Sequence, residues 1–190
     1  MSQVPRILNT KLKKTNFYTI QDPGPDTGLV SPANLDEFEV VRGHYALYYR
    51  GGKIGTVYEL IKLENNLLVI KDIAGYLVAM LQEAQDSGIN LNVTSGFRTM
   101  KHQAELYNNH KGSISTFVAR PGFDRHQTGI SVDFNVNATN GAVYEWLVKN
   151  AYRFGFIRTI PSERWHWEYW GGWPDQKQPE WSKNKRLKHT

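Results

Sequence analysis

The chain has 190 residues, of which 40% are hydrophobic, and it contains no cysteine. That excludes a disulfide framework and any thiolate metal site, and the length fits one domain with an ordinary core. The net charge of +5 gathers at the ends, in Lys11, Lys13 and Lys14 and in Lys183, Lys185, Arg186 and Lys188. No apolar run approaches the roughly 18 residues a membrane span needs, and Met1 to Lys14 is polar and basic, so neither a span nor a signal peptide is expected.

Taken in chain order, residues 1–60 read as a loop-rich N-terminal extension. Pro23, Gly24, Pro25, Asp26 and Gly28 mark a loop, and a hairpin around Arg50 to Lys53 would join Tyr45–Tyr49 to Gly55–Leu60. From Leu67 to Ala84 the apolar residues Leu67, Ile70, Ile73, Ala74, Leu77, Leu81 and Ala84 follow helical spacing, with Gly88 placed to cap. Ile89, Leu91 and Val93 alternate with Asn90, Asn92 and Thr94, which predicts a half-buried strand running into Ser95-Gly96-Phe97-Arg98-Thr99. Thr99 can cap a second helix holding Gln103, Ala104 and Tyr107. After a loop from Ser113 to Asp124, Ile130, Val132, Phe134 and Val136 alternate with Ser131, Asp133, Asn135 and Asn137 as a second strand. A third helix fits Ala142 to Phe154, stopped by Gly155, and a last strand alternates Trp165, Trp167 and Tyr169 with His166, Glu168 and Trp170. This order predicts an α+β domain with a small, mainly antiparallel sheet and flanking helices. The domain would cover residues 61–173, and 174–190 would be a basic tail.

The polar faces of these strands carry the residues with chemistry. Asp133 and His166 each lie on the polar side of an apolar-backed strand, and His126 sits in the turn leading to Asp133, with Gly129 between them to let the chain turn tightly. A hydrolytic zinc centre needs three such ligands and an open position for water. It also needs a carboxylate outside the ligand set to take the water's proton, and Glu163, in irregular chain just before His166, is placed for that. Arg98 shares the parity of Asn90, Asn92 and Thr94, so it can emerge on the polar face and meet a developing oxyanion.

The run His126-Gln-Thr-Gly129-Ile-Ser-Val-Asp133, followed by Glu163-Arg-Trp-His166-Trp-Glu-Tyr169 and preceded by Ser95-Gly96-Phe97-Arg98-Thr99 with Gln103, resembles the D-alanyl-D-alanine carboxypeptidase and dipeptidase family of zinc peptidases. The resemblance spans roughly Leu67 to Trp170. It implies zinc on His126, Asp133 and His166, Glu163 as catalytic base and Arg98 as the transition-state arginine, with the site on the polar face of the sheet. The implied substrates are peptidoglycan stem peptides or their precursors, and relatives with these motifs include phage lysins that cut between L-alanine and D-glutamate. Two positions depart from the family pattern: Asp124 stands where a serine is usual, and Ser131 where an alanine is usual. Asp124 and Ser131 are therefore candidate substrate contacts; Gln103 and Tyr169 are further candidates, although a helix glutamine and a strand tyrosine are more often structural. Trp165, Trp167, Tyr169, Trp170 and Trp173 could line a sugar-binding groove, although core packing of Trp165 and Trp167 is the expectation. His44, His102, His110 and His189 lack partners at ligand spacing.

The leading expectation is a carboxypeptidase-like zinc peptidase; the alternatives are a phage-type endolysin and a non-catalytic, zinc-bearing wall-binding module. The basic tail suits contact with an anionic wall polymer, and nothing interleaves aromatic and basic residues as specific nucleic-acid binding would require. Without a signal, such a protein would be made in the cytoplasm and reach the wall by phage lysis or another non-signal route. Oligomeric state is not legible.

Overall fold

The apolar segments fold into two small antiparallel sheets, with helices packed between and beside them. The computed structural model describes residues 29–111, 118–136 and 141–171. Trp173, His189, both basic ends and parts of the loops around 112–117 and 137–140 fall outside the described residues.

A three-stranded sheet is formed by β1 (Glu39–Tyr49), β2 (Gly52–Lys62) and β3 (Leu68–Ile70) in that order. The hairpin is longer than the short apolar alternation suggests, because register shifts between Arg42 and Tyr45 and between Leu47 and Tyr48 break the period that the sequence displays. Helix α1 (Lys71–Asp86) starts four residues later than the apolar spacing predicts, since Leu68–Ile70 pair with β2 as β3. Val69 and Ile70 are both buried, so this strand is covered on two faces and shows no alternation. Its short apolar run fits a helix period equally well. Gly88 closes α1 as expected: at φ 73° it donates to Gln85 O, and Ile89 N–H reaches back to Ala84 O, a Schellman motif.

The second sheet has the order β4 (Val93–Ser95), β5 (Ser131–Phe134), β7 (His166–Tyr169), β6 (Phe156–Ile157), with every pairing antiparallel. β4 is shorter than the predicted strand. Over Ile89–Asn92 the ladder is replaced by Asn135, whose side chain accepts from Asn92 N–H at 2.9 Å and donates to Asn90 O at 2.9 Å. Helix α2 (Met100–His110) begins where predicted, Thr99 Oγ1 accepting from His102 N–H. The third helix divides into α3 (Gly141–Asn150) and a 3-10 turn, Ala151–Phe154, that ends at left-handed Gly155.

One continuous core joins both sheets to α1 and α3 and includes fully buried Leu60, Ile70, Leu77, Phe134, Leu147 and Phe156. Burying each such side chain contributes about 1.5–3 kcal/mol. Trp167 belongs to this core as predicted, but Trp165 does not: it is 42% exposed, because the chain before β7 turns outward.

The two sheets approach closely at Gly96. A Cβ there would lie 2.3 Å from Leu68 O, which is already held by Phe97 N–H at 2.7 Å. Gly96→Ala is therefore expected to force the backbones apart and cost about 1–3 kcal/mol or more, read as a lower urea midpoint with an unchanged slope.

Candidate metal centre

The antiparallel register places Ser95, Asp133 and His166 side by side across β4, β5 and β7. His126 arrives from the 3-10 turn Arg125–Thr128, which Asp124 caps by accepting from His126 N–H at 2.8 Å and which Gly129 ends at φ 83°. A side chain at Gly129 would meet Ile70 at 2.9 Å, so the predicted tight turn also needs the missing Cβ to pack on β3.

His126, Asp133 and His166 each bring a ligand atom within 4.8 Å of the others. No other such group of His, Asp or Glu occurs among the described residues. His126 Nε2 lies 3.1 Å from one Asp133 oxygen and His166 Nδ1 2.9 Å from the other. The remaining ring nitrogens are tied down. His126 Nδ1 is 2.8 Å from Gly96 O, which can only accept, so the hydrogen is on Nδ1 and Nε2 is the free donor atom. His166 Nε2 lies 3.4 Å from Glu168 Oε1. Each imidazole thus presents one nitrogen to the centre and anchors the other on a carbonyl or carboxylate, the arrangement that orients metal ligands. The two-nitrogen, one-carboxylate donor set fits zinc without a thiolate.

Electrostatics agree with this geometry. Burial would lower the His166 pKa, but bonds to Asp133 and Glu168 outweigh it and push it up to about 9. Burial likewise opposes charge on Asp133, yet the two histidines hold its carboxyl well below the usual range. Glu163 sits in the turn before β7, 35% exposed at its side chain, with Oε2 3.9 Å from His166 Nδ1. Burial raises its pKa above the ordinary glutamate value.

Arg98 comes from the segment after β4 and points into the same space. Its guanidinium donates to Asp124 at 3.1 Å, Ser95 Oγ at 2.9 Å and Gln103 Oε1 at 3.4 Å, and lies 3.8 Å from Asp133. Asp124 and Gln103 therefore gather at the centre as holders of Arg98, and Gln103, fully buried, also donates to Ala119 O.

Two candidate substrate contacts lie elsewhere. Ser131 is 1% exposed and donates to Arg125 O at 3.1 Å, because its parity in β5 matches Asp133 but the 3-10 turn lies over it. Tyr169 is 4% exposed and packs on Tyr76 and Phe156, facing the core because its offset of three from His166 puts it on the opposite side of β7. Glu168 was not singled out by spacing arguments, although it is two residues from His166 and so on the same strand face. It is 1% exposed; burial opposes its charge, but the His166 bond and the Arg125 guanidinium hold its pKa down.

Known proteins resemble this chain over the segment that holds the cluster. A curated D-alanyl-D-alanine carboxypeptidase of Enterococcus faecalis is 34% identical over 140 residues, covering 60% of this chain and 52% of the relative. The chain thus spans about half the length of that relative. Among solved structures, VanYB in complex with D-alanine-D-alanine is similar at 34% identity and a TM-score of 0.54, covering 66% of this chain and 85% of that one. A variant of the vancomycin resistance D,D-pentapeptidase VanY in complex with Zn(II) is similar at 28% identity and a TM-score of 0.52, covering 77% and 89%. The family model VanY, D-alanyl-D-alanine carboxypeptidase, matches residues 66–172, a range that includes His126, Asp133, His166, Glu163 and Arg98. With more than half of its length matched, this chain belongs to the VanY D-alanyl-D-alanine carboxypeptidase family.

Proposed function

We propose that this chain is a zinc peptidase that hydrolyses peptidoglycan stem peptides at a D-alanyl-D-alanine end. The observation that carries this reading is the convergence of His126, Asp133 and His166 with a non-ligand carboxylate, Glu163, and a held guanidinium, Arg98, around one point. The known substrate of the VanY family and the Zn(II) complex of a relative support the choices of bond and metal.

In this reading His126 Nε2, an Asp133 oxygen and His166 Nδ1 hold the zinc. When bound, zinc supplies Lewis-acid polarisation and makes water a competent nucleophile near neutral pH. Glu163 takes the proton of the attacking water and passes it to the leaving amine, and its burial-raised pKa suits both steps. Arg98 stabilises the charge that develops on the carbonyl oxygen, and Asp124, Ser95 and Gln103 fix its direction beforehand. Asp124, 3.1 Å from Arg98, puts a carboxylate beside the guanidinium where the family usually has a serine, so it bears on which peptide end fits.

Incubating the zinc-loaded protein with defined stem pentapeptides and with whole peptidoglycan, followed by mass spectrometry, tests the assignment. Loss of one D-alanine is expected. Release of whole stem peptides would instead assign an L-alanyl-D-glutamate endopeptidase, and unchanged peptides with stoichiometric zinc would leave a binding module.

Metal uptake should also release a proton. The metal-free His166 ring, with a pKa near 9, is protonated at pH 7, and a ligand nitrogen must be bare. Zinc affinity is therefore expected to rise about tenfold per pH unit up to about pH 9 from this group alone. Calorimetric titration in buffers of different ionisation enthalpy should show about one proton leaving at pH 7; none leaving would show that the metal-free His166 is already neutral there.

A further inference from the structure

Glu168 is a fully buried carboxylate that touches His166, and a buried carboxylate needs compensation beyond one imidazole. It accepts from Trp170 Nε1 at 2.9 Å, and Arg125 Nε lies 3.6 Å from the oxygen that faces His166. The backbone of Arg125 is pinned by Thr128 Oγ1 and Ser131 Oγ, both donating to its carbonyl, at 2.6 and 3.1 Å. Its side chain is held differently. The guanidinium lies over the Tyr49 ring, 4.9 Å from the centroid, and Tyr49 is the last residue of β1.

That contact reaches outside residues 66–172, where the family match lies. The tip of the hairpin docks on the loop that carries Asp124 and His126: Gly51 N–H donates to Gly122 O at 2.8 Å, and a Cβ on Gly122 would come within 3.1 Å of Gly51 Cα. A Cβ on Gly51 would come within 2.9 Å of the Phe123 ring. Such close backbone approach fixes where Tyr49 stands relative to Arg125.

We propose that the N-terminal hairpin positions the metal ligand His166, through Tyr49 stacked on Arg125, Arg125 paired with Glu168, and Glu168 bonded to His166 Nε2. Tyr49 and Arg125 are positioning residues. Tyr49 confines the guanidinium, the guanidinium holds the carboxylate in line with Nε2, and the carboxylate keeps the hydrogen on Nε2 so that Nδ1 is turned to the centre. The inference rests on the metal-site reading, but it concerns metal affinity and ligand geometry rather than the bond cleaved.

The test uses the full chain, stripped of metal and titrated with zinc against a chromophoric chelator, with cobalt(II) absorption as the report on ligand geometry. Arg125→Met and Tyr49→Leu are each expected to weaken zinc binding about tenfold or more and to shift the cobalt spectrum, as loss of partners behind a ligand does. Tyr49→Phe, which keeps the stacking face, should restore both to near wild type. The double variant Tyr49→Leu/Arg125→Met should lose little beyond Arg125→Met alone, because the two act in series. Unchanged affinity and cobalt spectrum in folded Tyr49→Leu, with only a lower melting temperature, would overturn the proposal and leave the hairpin a purely structural element. Should Arg125→Met not fold, Tyr49→Leu, at a partly buried position, still decides the matter. Wild-type hydrolysis together with unaltered metal binding in the variants sinks this relay alone. Wild-type zinc uptake with no hydrolysis sinks the peptidase reading alone.

Discussion

Glu163→Gln is expected to lower hydrolysis of a D-alanyl-D-alanine-terminated peptide by about 10²–10⁴-fold while zinc is still taken up at about one ion per chain. The separation of the two effects follows from where Glu163 stands. It lies in the turn before β7 with its carboxylate 3.9 Å from His166 Nδ1, near the centre but outside the His126, Asp133 and His166 set. A glutamine fills the same volume and keeps the turn, since the bond there runs through the backbone, His166 N–H donating to Glu163 O at 3.3 Å. What it cannot do is accept a proton and return it. Kinetics on the peptide, beside metal analysis of the same preparation, check both halves. Retained activity would remove Glu163 from the reaction, and lost zinc would make it a ligand. By contrast, Asp133→Asn should abolish tight zinc binding, because it removes the one anionic ligand and leaves two buried imidazoles facing a neutral amide.

The sequence shows these residues unevenly, for physical reasons. Asp133 and His166 were legible because β5 and β7 are backed by core residues on one face, so a period of two marks the other. Their direct pairing was not, since register depends on contacts between segments more than thirty residues apart. The same two-residue period makes Glu168 a neighbour of His166, and it points Tyr169 away into the core. Ser131 shares the face of Asp133, yet the turn Arg125–Thr128 covers it, and only the folded path of that turn reveals it. Where a strand is buried on both faces, as β3 is, periodicity carries no information, and the start of α1 is misplaced for that reason. Trp165 continues the alternating pattern in sequence, but it precedes the first residue of β7, so its ring is exposed. Tyr49 had no local signal at all. Its significance lies in a ring contact with Arg125 across the whole of α1, β4 and α2.

Arg98→Met should cost about 10²–10³-fold in turnover, the loss seen when a preorganised donor to a developing oxyanion is removed. A second effect should accompany it. Arg98 lies 3.1 Å from Asp124 and 3.8 Å from Asp133, so without it two partly buried carboxylates face each other across the centre with less positive charge between them. Arg98→Lys restores charge but not the fork that reaches Asp124, Ser95 and Gln103 together, because an ammonium is a single point on a flexible stem. The lysine variant should therefore recover stability and zinc affinity while turnover stays low. Gln103→Ala and Asp124→Ser divide the same question further. Each removes one partner of the guanidinium and leaves its charge in place, so each should lower turnover less than Arg98→Met does. Asp124→Ser also returns the position to the residue the family usually carries and removes a carboxylate from beside Arg98. If Asp124 selects among peptide ends, this substitution should change the ratio of kcat/KM between a D-alanyl-D-alanine end and an internal bond more than it changes either kcat. A uniform fall on both substrates would make Asp124 only a holder of Arg98.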